Sequence, residues 1–432
     1  MKKALLATLA ACFLLFAISC TSTAPNKKPQ QKTLRITYDS SLYGSNWMNN
    51  AAKLFQKTHP SIALKITADS QLTQHYTALL ESGQNTPDLI FLARTDWQED
   101  AAAGKLANLN TLYTGTGGGT PLLSKLRDGV APSCMLNGQY YVYPWGARTG
   151  GLLYSARLFN QYGWQVPQTV SALDSLCAQI RIAGIAPFTW SADHASDWTD
   201  NVTEWWAQYE GQASMQTYLA MQSPSVYGEQ GRLQALQAFE ELLPQNSYNT
   251  PLTMNEGEAV KAFTGGHAAM MPAGYLPVFA ANAPSDDLDA HVMALPAPDG
   301  AKAPGLLAAT IPGIAVVPAK AAEQALAQTF LSDLTSDEAL SLFIAATGQP
   351  TPFVLDKNQT DHLPRLLKSA CALWQSDTLY MLSEQPIYYR RLFDWPAQGS
   401  PVLQIFSGTR TAQQAFDDNL VAAQSNWSNA LS

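Results

Sequence analysis

The feature that most constrains the fold is a switch between two hydrophobic periods in the first part of the chain. Apolar and polar residues alternate over 34–38 and again over 62–66, which is the period of a half-buried strand. Between these segments, apolar residues recur at helical spacing from Trp47 to Phe55. A continuous apolar run over 89–92 is typical of a strand buried in a parallel sheet. Strands that alternate with helices in this way predict an α/β fold.

Capping residues and breakers mark further elements. We expect a helix over 71–81 and a second over 171–183, the latter opened by a Ser-x-x-Asp capping pair at its first residue and followed by a glycine. Thr335 and Glu338 form a similar pair and predict the start of another helix. The apolar stretch 306–317 is interrupted by proline and predicts no single regular strand.

Length and composition bound the classes of protein that the chain can belong to. A chain of 432 residues is long enough for two or three domains, and 46% hydrophobic residues supply large cores. Only 14% of the residues are charged, the formal net charge is −8, and no basic cluster interrupts the sequence. Nucleic-acid binding needs phosphate-neutralising Lys and Arg, so we exclude that partner class.

The N-terminus has the pattern of an export signal. Two lysines precede an apolar run over 4–18, which is too short to span a bilayer comfortably. The sequence Phe16-Ala17-Ile18-Ser19-Cys20 resembles the lipobox of bacterial lipoproteins, although Ala17 stands where Leu is usual. The resemblance implies a signal peptide over 1–19, lipidation of Cys20 and a polar tether over 20–32. The alternative is an ordinary secretory signal with a chance Cys.

Three further cysteines, Cys134, Cys177 and Cys371, lie in the body of the chain. Their spacing matches no zinc or redox motif, and their odd number leaves at least one thiol unpaired within the chain. The sequence does not fix a pairing among them. We expect buried, inert thiols and no metal site.

Several segments between Leu34 and Gly348 match one family in order and spacing. They are the helix from Trp47 to the Pro60 bend with the strand after it, Pro87-Asp88-Leu89-Ile90-Phe91, Gly104-Lys105-Leu106 with Leu109, Gly138 to Pro144, Leu153-Tyr154-Ser155 through Thr169, Phe263 to Met271, and Pro318 to Leu334. In this order they resemble the extracellular solute-binding proteins of family 1, which include the maltose- and oligosaccharide-binding proteins of ABC importers. The last eighty or so residues match poorly. Ser155 replaces the family's common Asn, and Tyr275 stands where Trp is frequent.

The resemblance implies a two-lobed periplasmic-binding-protein fold of type II, with the ligand in the cleft between the lobes. One lobe would comprise 33–144 and 313–347, and the other 150–306 and 352–432. Three segments between these ranges would cross from lobe to lobe. The implied protein is an exported, lipid-anchored, monomeric receptor that is not an enzyme, needs no cofactor and delivers a sugar to a membrane permease.

Sugars present apolar C–H faces and many hydroxyls, so a sugar site combines aromatic rings with charged hydrogen-bonding groups. Asp96 and Trp97 follow the strand run 89–92, and ligands of α/β sheets bind beyond the carboxyl ends of strands. Trp145 and Arg148 lie, by resemblance, on the first crossing. For both tryptophans, packing within the fold is the alternative.

Two more places complete the candidate site. Trp190, Asp197 and Trp198 belong to a cluster of acidic, aromatic and polar residues, for which a solvated loop is the alternative. Tyr275 follows the Ala-Ala-Met-Met segment, where the family often places a stacking aromatic residue. Trp205 and Trp206 are adjacent on a predicted helix, so we expect at most one of them to face a core or the cleft.

Three other functions remain open at this point. A secreted glycosidase suits the acidic balance, but no motif fixes a carboxylate pair at the required separation. A polyamine receptor would need Asp96, Asp193 and Asp197 to converge on the cleft. A receptor that feeds a sensor instead of a permease is the third.

Overall fold

The computed structural model describes residues 31–93, 97–116, 118–219, 224–281, 289–381 and 401–431. The predicted signal peptide, Cys20, most of the predicted tether and Asp96 lie outside these residues. Within them, two main sheets are surrounded by helices, so the predicted α/β class is confirmed. No helix in the described part has both the length and the apolar character needed to cross a bilayer.

The strands follow one another along the chain. They are β1 Thr33–Asp39, β2 Ala63–Asp69, β3 Leu89–Ala93, β4 Met135–Leu136, β5 Gln139–Tyr140, β6 Val142–Thr149, β7 Leu152–Ser155, β8 Ala186–Phe188, β9 Ala268–Pro272, β10 Ala290–Met293, β11 Leu307–Val316 and β12 Leu379–Met381.

The α-helices of the first half alternate along the chain with the strands. They are α1 Ser40–Tyr43, α2 Asn46–Thr58, α3 Leu72–Glu81, α4 Trp97–Ala102, α5 Asn110–Thr114, α6 Ala156–Tyr162, α7 Val170–Ile182, α8 Ala195–Glu210 and α9 Gln212–Leu219. Those of the second half are α10 Gln230–Leu242, α11 Glu256–Thr264, α12 Leu276–Ala281, α13 Gln324–Asp333, α14 Asp337–Thr347, α15 Lys357–Thr360, α16 Arg365–Trp374, α17 Pro401–Phe406 and α18 Ala412–Leu431.

The first sheet has six strands in the order β12-β11-β3-β1-β2, with β6 paired to β11. The strands β1, β2 and β3 run parallel, whereas β11 runs antiparallel to both β3 and β6. All of β3 except its last residue is buried, as its continuous apolar sequence predicts. The helix α2 packs its apolar stripe, Trp47, Met48, Ala51 and Phe55, into this core.

The strand β11 corrects one prediction. We expected no single regular strand over 306–317, but the structure has one strand of 10 residues there. Its pairing with β6 shifts register between Thr310 and Gly313 and again at Ile314. Because Pro312 has no N–H to donate, the ladder is interrupted there, and a β-bulge absorbs the break without ending the strand.

The second sheet has four strands in the order β10-β7-β9-β8. Its strand β9, Ala-Ala-Met-Met-Pro, is buried along its whole length. The helix α16 packs against β10, and α8 packs against α10 and touches β11. Cys134, Cys177 and Cys371 are buried, as expected, and none of the three forms a disulfide within the described residues.

In the described residues, the connections between the parts of the chain built on the two sheets include the following three. The first is Gly150-Gly151, which leads from β6 in one sheet to β7 in the other. The second is the return from β10 to β11, and the third is the segment between α14 and α16. The strand β12, which lies in the range predicted for the second lobe, pairs with the start of β11 in the first sheet. The predicted lobe boundaries stay a prediction.

Two helix starts differ from the sequence patterns. The helix α7 begins after Thr169, whose hydroxyl accepts the Ala172 N–H, two residues before the predicted Ser171 cap. The helix α14 is capped by Ser336, whose hydroxyl accepts the Ala339 N–H, and Thr335 instead accepts a hydrogen bond from the Lys125 ammonium group. In both regions adjacent Ser and Thr residues offer rival caps, and local sequence does not separate them.

Candidate functional site

The candidate site lies where β6, the Gly150-Gly151 connection and the residues after β9 meet the helix α8. Arg148, near the end of β6, directs its guanidinium toward α8. Its Nη2 lies 2.5 Å from Oδ2 of Asp200, and its Nη1 lies 3.7 Å from Oδ1 of Asp197. The structure therefore brings together Arg148 and Asp197, which the sequence proposed, and adds Asp200. We call these three residues the Arg148 cluster.

Opposite charges and burial set the protonation of the cluster. The Asp200 carboxylate, and after it Asp197, hold the pKa of Arg148 above its ordinary value, although burial opposes this. Burial raises the pKa of Asp200 above its ordinary value, and the facing Arg148 only partly offsets that effect. The cluster is thus a charged, hydrogen-bonding unit drawn from a strand and a helix.

Glycines allow the helix to come close to the chain around it. A Cβ atom at Gly274, just after β9, would lie 2.1 Å from Cγ of Asp197. A Cβ atom at Gly150 would lie 2.7 Å from Oε2 of Glu204. Gly151 has a φ of 120° and donates its N–H to Oδ1 of Asn201 over 2.9 Å. Side chains larger than hydrogen at Gly150 or Gly274 would displace the polar groups of α8.

One face of α8 carries a buried polar stripe. Asp197, Asn201, Glu204 and Gln208 follow one another at helical spacing, and all four are buried. Glu204 is 0% exposed and accepts the Ala308 N–H of β11 over 3.1 Å. Burial raises the pKa of Glu204 to about 8. The other carboxylate oxygen of Glu204 and the amide oxygen of Gln208 have no hydrogen-bond partner in the described structure.

Tyr43 approaches the same region from the first sheet. It ends the short helix α1, and its hydroxyl lies over Gly146 of β6 and Gly313 of β11, which pair with each other. A Cβ atom at Gly146 would lie 1.8 Å from that hydroxyl. Burial raises the pKa of the Tyr43 phenol, and its oxygen has no hydrogen-bond partner in the described structure. A buried hydroxyl without a hydrogen-bond partner destabilises the fold, and a hydrogen bond to a ligand would remove that cost.

His194 links the cluster to a second helix. Its Nδ1 lies 3.0 Å from Oδ2 of Asp197, and its Nε2 lies 2.9 Å from Oε2 of Glu256 on α11. Burial lowers the pKa of His194, but the two carboxylates outweigh burial and the net pKa is raised. The imidazole stacks on Tyr275, with ring centroids 3.9 Å apart. The Tyr275 hydroxyl in turn accepts the Ser191 N–H over 2.8 Å.

Two of the predicted aromatic residues pack against the first sheet. Trp97 is 1% exposed at the start of α4. Trp145 on β6 is 2% exposed and contacts Trp47 and Phe343, with centroid distances of 5.3 and 4.4 Å. In the described arrangement both indoles fill cores and present no open face.

The remaining predicted aromatics pack within the second part of the chain. Trp190 donates its indole N–H to Ser247 and packs edge-on against Phe406. Trp198, on α8, packs against Phe188 and Phe239. Trp205 and Trp206 are both buried, so the expectation that at most one faces inward was wrong. Neighbouring elements, including α10, cover α8 on more than one side, so residues on several of its faces are buried.

Sequence reasoning missed Tyr43, Asp200, Asn201, Glu204 and Gln208. For the last three with Asp197, a signal existed: polar residues recur at helical spacing along a helix that also carries three tryptophans, Trp198, Trp205 and Trp206. Tyr43 had no such signal, because only the pairing of β6 with β11 creates the glycine groove beneath it. Among the described residues, no group of three His, Cys, Asp or Glu side chains is arranged to hold a metal ion.

Comparison with known proteins agrees with this architecture. The sequence profile of the bacterial extracellular solute-binding proteins matches residues 38–340, well over half of the chain. The chain therefore belongs to the bacterial extracellular solute-binding protein family. A sequence search of curated proteins finds no significant match.

Solved structures share the fold at low sequence identity. The solute receptor AcbH, described as having an exclusive preference for β-D-galactopyranose, superposes with a TM-score of 0.69 at 16% identity, covering 93% of this chain and 100% of that one. RafE in complex with raffinose superposes with a TM-score of 0.67 at 17% identity, covering 91% of this chain and 99% of that one. A probable secreted solute-binding lipoprotein from Streptomyces coelicolor superposes with a TM-score of 0.68 at 14% identity, covering 93% of this chain and 99% of that one.

Proposed function

We propose that this protein is the substrate-binding receptor of an ABC importer and that it captures a neutral sugar at the Arg148 cluster. The observation that carries the proposal is the cluster itself, a half-buried guanidinium paired with Asp197 and Asp200, beside polar atoms without a hydrogen-bond partner in the described structure. Family membership supports the receptor role. The saccharide ligands named for AcbH and RafE support the ligand class.

The chemistry of the cluster favours sugar hydroxyls. Charged groups form the stronger hydrogen bonds to neutral hydroxyls, and Arg148 with its two carboxylates offers both donors and acceptors. The Tyr43 hydroxyl adds a donor and acceptor without a partner in the described structure. A polyamine is a poorer fit, because Arg148 already neutralises much of the acidic charge that would attract a cation.

The described arrangement leaves too little room for a sugar. The space between Arg148, Asp200 and Gly274 holds about 10 Å³, which is no more than one water molecule occupies. Pockets for small-molecule ligands measure roughly 300–1,000 Å³. We propose that the parts built on the two sheets separate to admit the ligand, bending at the Gly- and Pro-containing crossings near 144–150, 306–313 and 347–352. Opening would expose rings that now pack near the junction, among them Trp145 and Tyr275.

We also propose export and anchoring through a lipid on Cys20. The support is the lipobox-like sequence and the lipoprotein description of one structural neighbour. Mass spectrometry of the membrane-extracted chain checks this: the wild type should carry fatty acids, and Cys20→Ala should not.

A thermal-shift screen of the full chain tests the ligand class. The panel contains mono- and oligosaccharides, polyamines and phosphoesters, because a ligand of the native state raises the unfolding temperature by mass action. The proposal expects at least one neutral saccharide to raise it, with no saccharide cleaved on incubation. A shift with polyamines alone, or cleavage of the saccharide, would contradict the proposal and support the corresponding rival.

A further inference from the structure

A second cleft lies at the end of the four-stranded sheet opposite to the Arg148 cluster. It is lined by residues at the starts of β8 and β9, among them Ala186 and His267. The Arg148 cluster, by contrast, meets the residues that follow the end of β9, such as Gly274. The two sites therefore lie at opposite ends of the same strands, and a ligand in one does not occupy the other.

The charge of this cleft is opposite to that of the whole protein. Arg157 and Arg181 both line it, and none of its described lining residues is Asp or Glu. Neither arginine forms an ion pair with a described carboxylate, although the chain as a whole has a net charge of −8. Two uncompensated guanidinium groups in one concavity favour a bound anion.

A glycine leaves room for one of the two guanidinium groups, and an asparagine side chain binds the other. Gly266 has a φ of 75°, and a Cβ atom there would lie 3.0 Å from Nη2 of Arg157. A residue with a side chain at this position would be strained and would crowd the guanidinium. Arg181, at the end of α7, donates to Oδ1 of Asn246 and is thereby oriented. The two cations thus reach one cleft from different elements, Arg157 from α6 and Arg181 from α7.

Aromatic rings complete the lining. Tyr248 stacks with His267 at a centroid distance of 6.1 Å and an interplanar angle of 18°. Tyr162 is 43% exposed and stacks on Trp164, with centroids 4.7 Å apart. An exposed and a half-buried tyrosine ring beside two arginines suit a ligand that has both an apolar ring face and a negative charge.

The cleft holds about 630 Å³, within the range of pockets that bind small molecules. From this combination of charge, rings and size, we propose that it is a second ligand site, which binds an acidic sugar, that is, a sugar ring carrying a carboxylate or a phosphate group. We call it the arginine cleft. The proposal does not depend on what binds at the Arg148 cluster.

Calorimetric titration of the full chain tests it, with D-glucuronate and glucose 1-phosphate as probes and D-glucose as the uncharged control. At least one acidic probe should bind, and which one binds distinguishes carboxylate from phosphate. Arg157→Ala and Arg181→Ala should each weaken that binding about tenfold or more, since hydrogen bonds to charged groups are strong. Raising the salt should weaken it too, because the cleft is open to solvent. Lys320→Ala, which removes an exposed cation elsewhere, should leave it unchanged.

Three outcomes would overturn the proposal. The first is that both acidic probes bind no tighter than glucose. The second is that both arginine variants bind the probes like the wild type. The third is that Arg148→Ala abolishes the binding while Arg157→Ala does not, which would place the anion at the Arg148 cluster. Thermal unfolding of each variant confirms folding, and saccharide binding by the Arg157→Ala protein reports on the first site separately.

Discussion

At the scale of the residue, Glu204 shows how burial ties stability to pH. It is 0% exposed, and burial raises its pKa from the ordinary 4.5 to about 8. The folded protein therefore keeps a proton that the unfolded chain loses once the pH exceeds about 4.5. The contribution of Glu204 to the free energy of unfolding is therefore greatest at low pH, and it decreases as the pH rises from about 4.5 to about 8.

Glu204→Gln should remove this pH dependence, because the amide is neutral at every pH. We expect the variant to be more stable than the wild type by on the order of 3 kcal/mol at pH 8, and nearly equal to it below pH 5. Urea unfolding across that range measures the difference. Glu338→Gln, at an exposed position on α14, is the control. A difference between wild type and Glu204→Gln that does not change with pH would contradict the assignment.

Gly274 provides a second test at the residue scale. A methyl group there would lie 2.1 Å from the Asp197 carboxyl carbon and would push that carboxylate away from Arg148. Gly274→Ala should weaken saccharide binding about tenfold or more, which corresponds to about 1.4 kcal/mol. Gly119→Ala is the matched control, because an added Cβ at Gly119 meets nothing within 4 Å. Equal affinities in the two variants would remove Asp197 from the site.

At the scale of the element, the helix α8 supplies most of the polar residues of the site. His194, just before α8, links this helix to α11 through its contact with Glu256. A protonated imidazole pairs with both Asp197 and Glu256. Because the folded pKa of His194 is raised, the stabilisation is complete below the ordinary histidine pKa of about 6.5 and is lost as the pH rises through the folded value.

His194→Gln should therefore be destabilised relative to the wild type at pH 6, and the gap should narrow toward pH 9. The loss of stacking on Tyr275 should lower the stability by the same amount at every pH in this range. Only the pH-dependent part of the stability difference therefore reports on the charge of His194. In a Glu256→Gln background, the difference in stability that His194→Gln causes at pH 6 should also be smaller, since one of the two carboxylates that face the imidazole is gone. Chemical unfolding at several pH values gives the comparison, and a gap of constant size would count against the charged bridge.

Elements set by local pattern were predictable, and those set by neighbours were not. The strands β1, β2 and β3 appeared where apolar periodicity placed them. The strand β11 did not, because its bulge at Pro312 is tolerated only through pairing on both sides with β3 and β6. The same limit applies to the site: Arg148 and Asp197 were proposed, but Asp200 and Glu204 depend on which face of α8 meets Gly150.

At the scale of the whole molecule, we propose that saccharide binding is coupled to a movement of the parts built on the two sheets toward each other. The Arg148 cluster joins a strand of the first sheet to α8, whose Trp198 packs against Phe188 of the second sheet, and the space within the cluster is too small for a sugar. A ligand shifts an open form to a closed one only by binding the closed form better, and a change from 1:99 to 99:1 needs about 5.5 kcal/mol of preference.

We propose that the free protein is mainly open in solution and that a bound saccharide draws its two parts together, so small-angle scattering should show a smaller radius of gyration with a saturating saccharide than without one. The comparison uses a ligand confirmed by calorimetry, and a non-binding sugar at the same concentration is the control. The motion would come from the Gly- and Pro-containing crossings, which bend at a few bonds. Equal radii in the free and bound protein would argue against hinge closure.

The central claim, that a neutral saccharide binds at the Arg148 cluster, is tested most directly by calorimetric titration of that saccharide against wild type and Arg148→Ala. Removing the guanidinium leaves Asp197 and Asp200 facing each other without their cation, and truncation of a dominant binding residue costs above about 2 kcal/mol. We predict that Arg148→Ala loses affinity by about thirtyfold or more. Arg410→Ala, at an exposed position on the far C-terminal segment, should bind like the wild type. An Arg148→Ala protein that folds and binds the saccharide as tightly as the wild type would contradict the account.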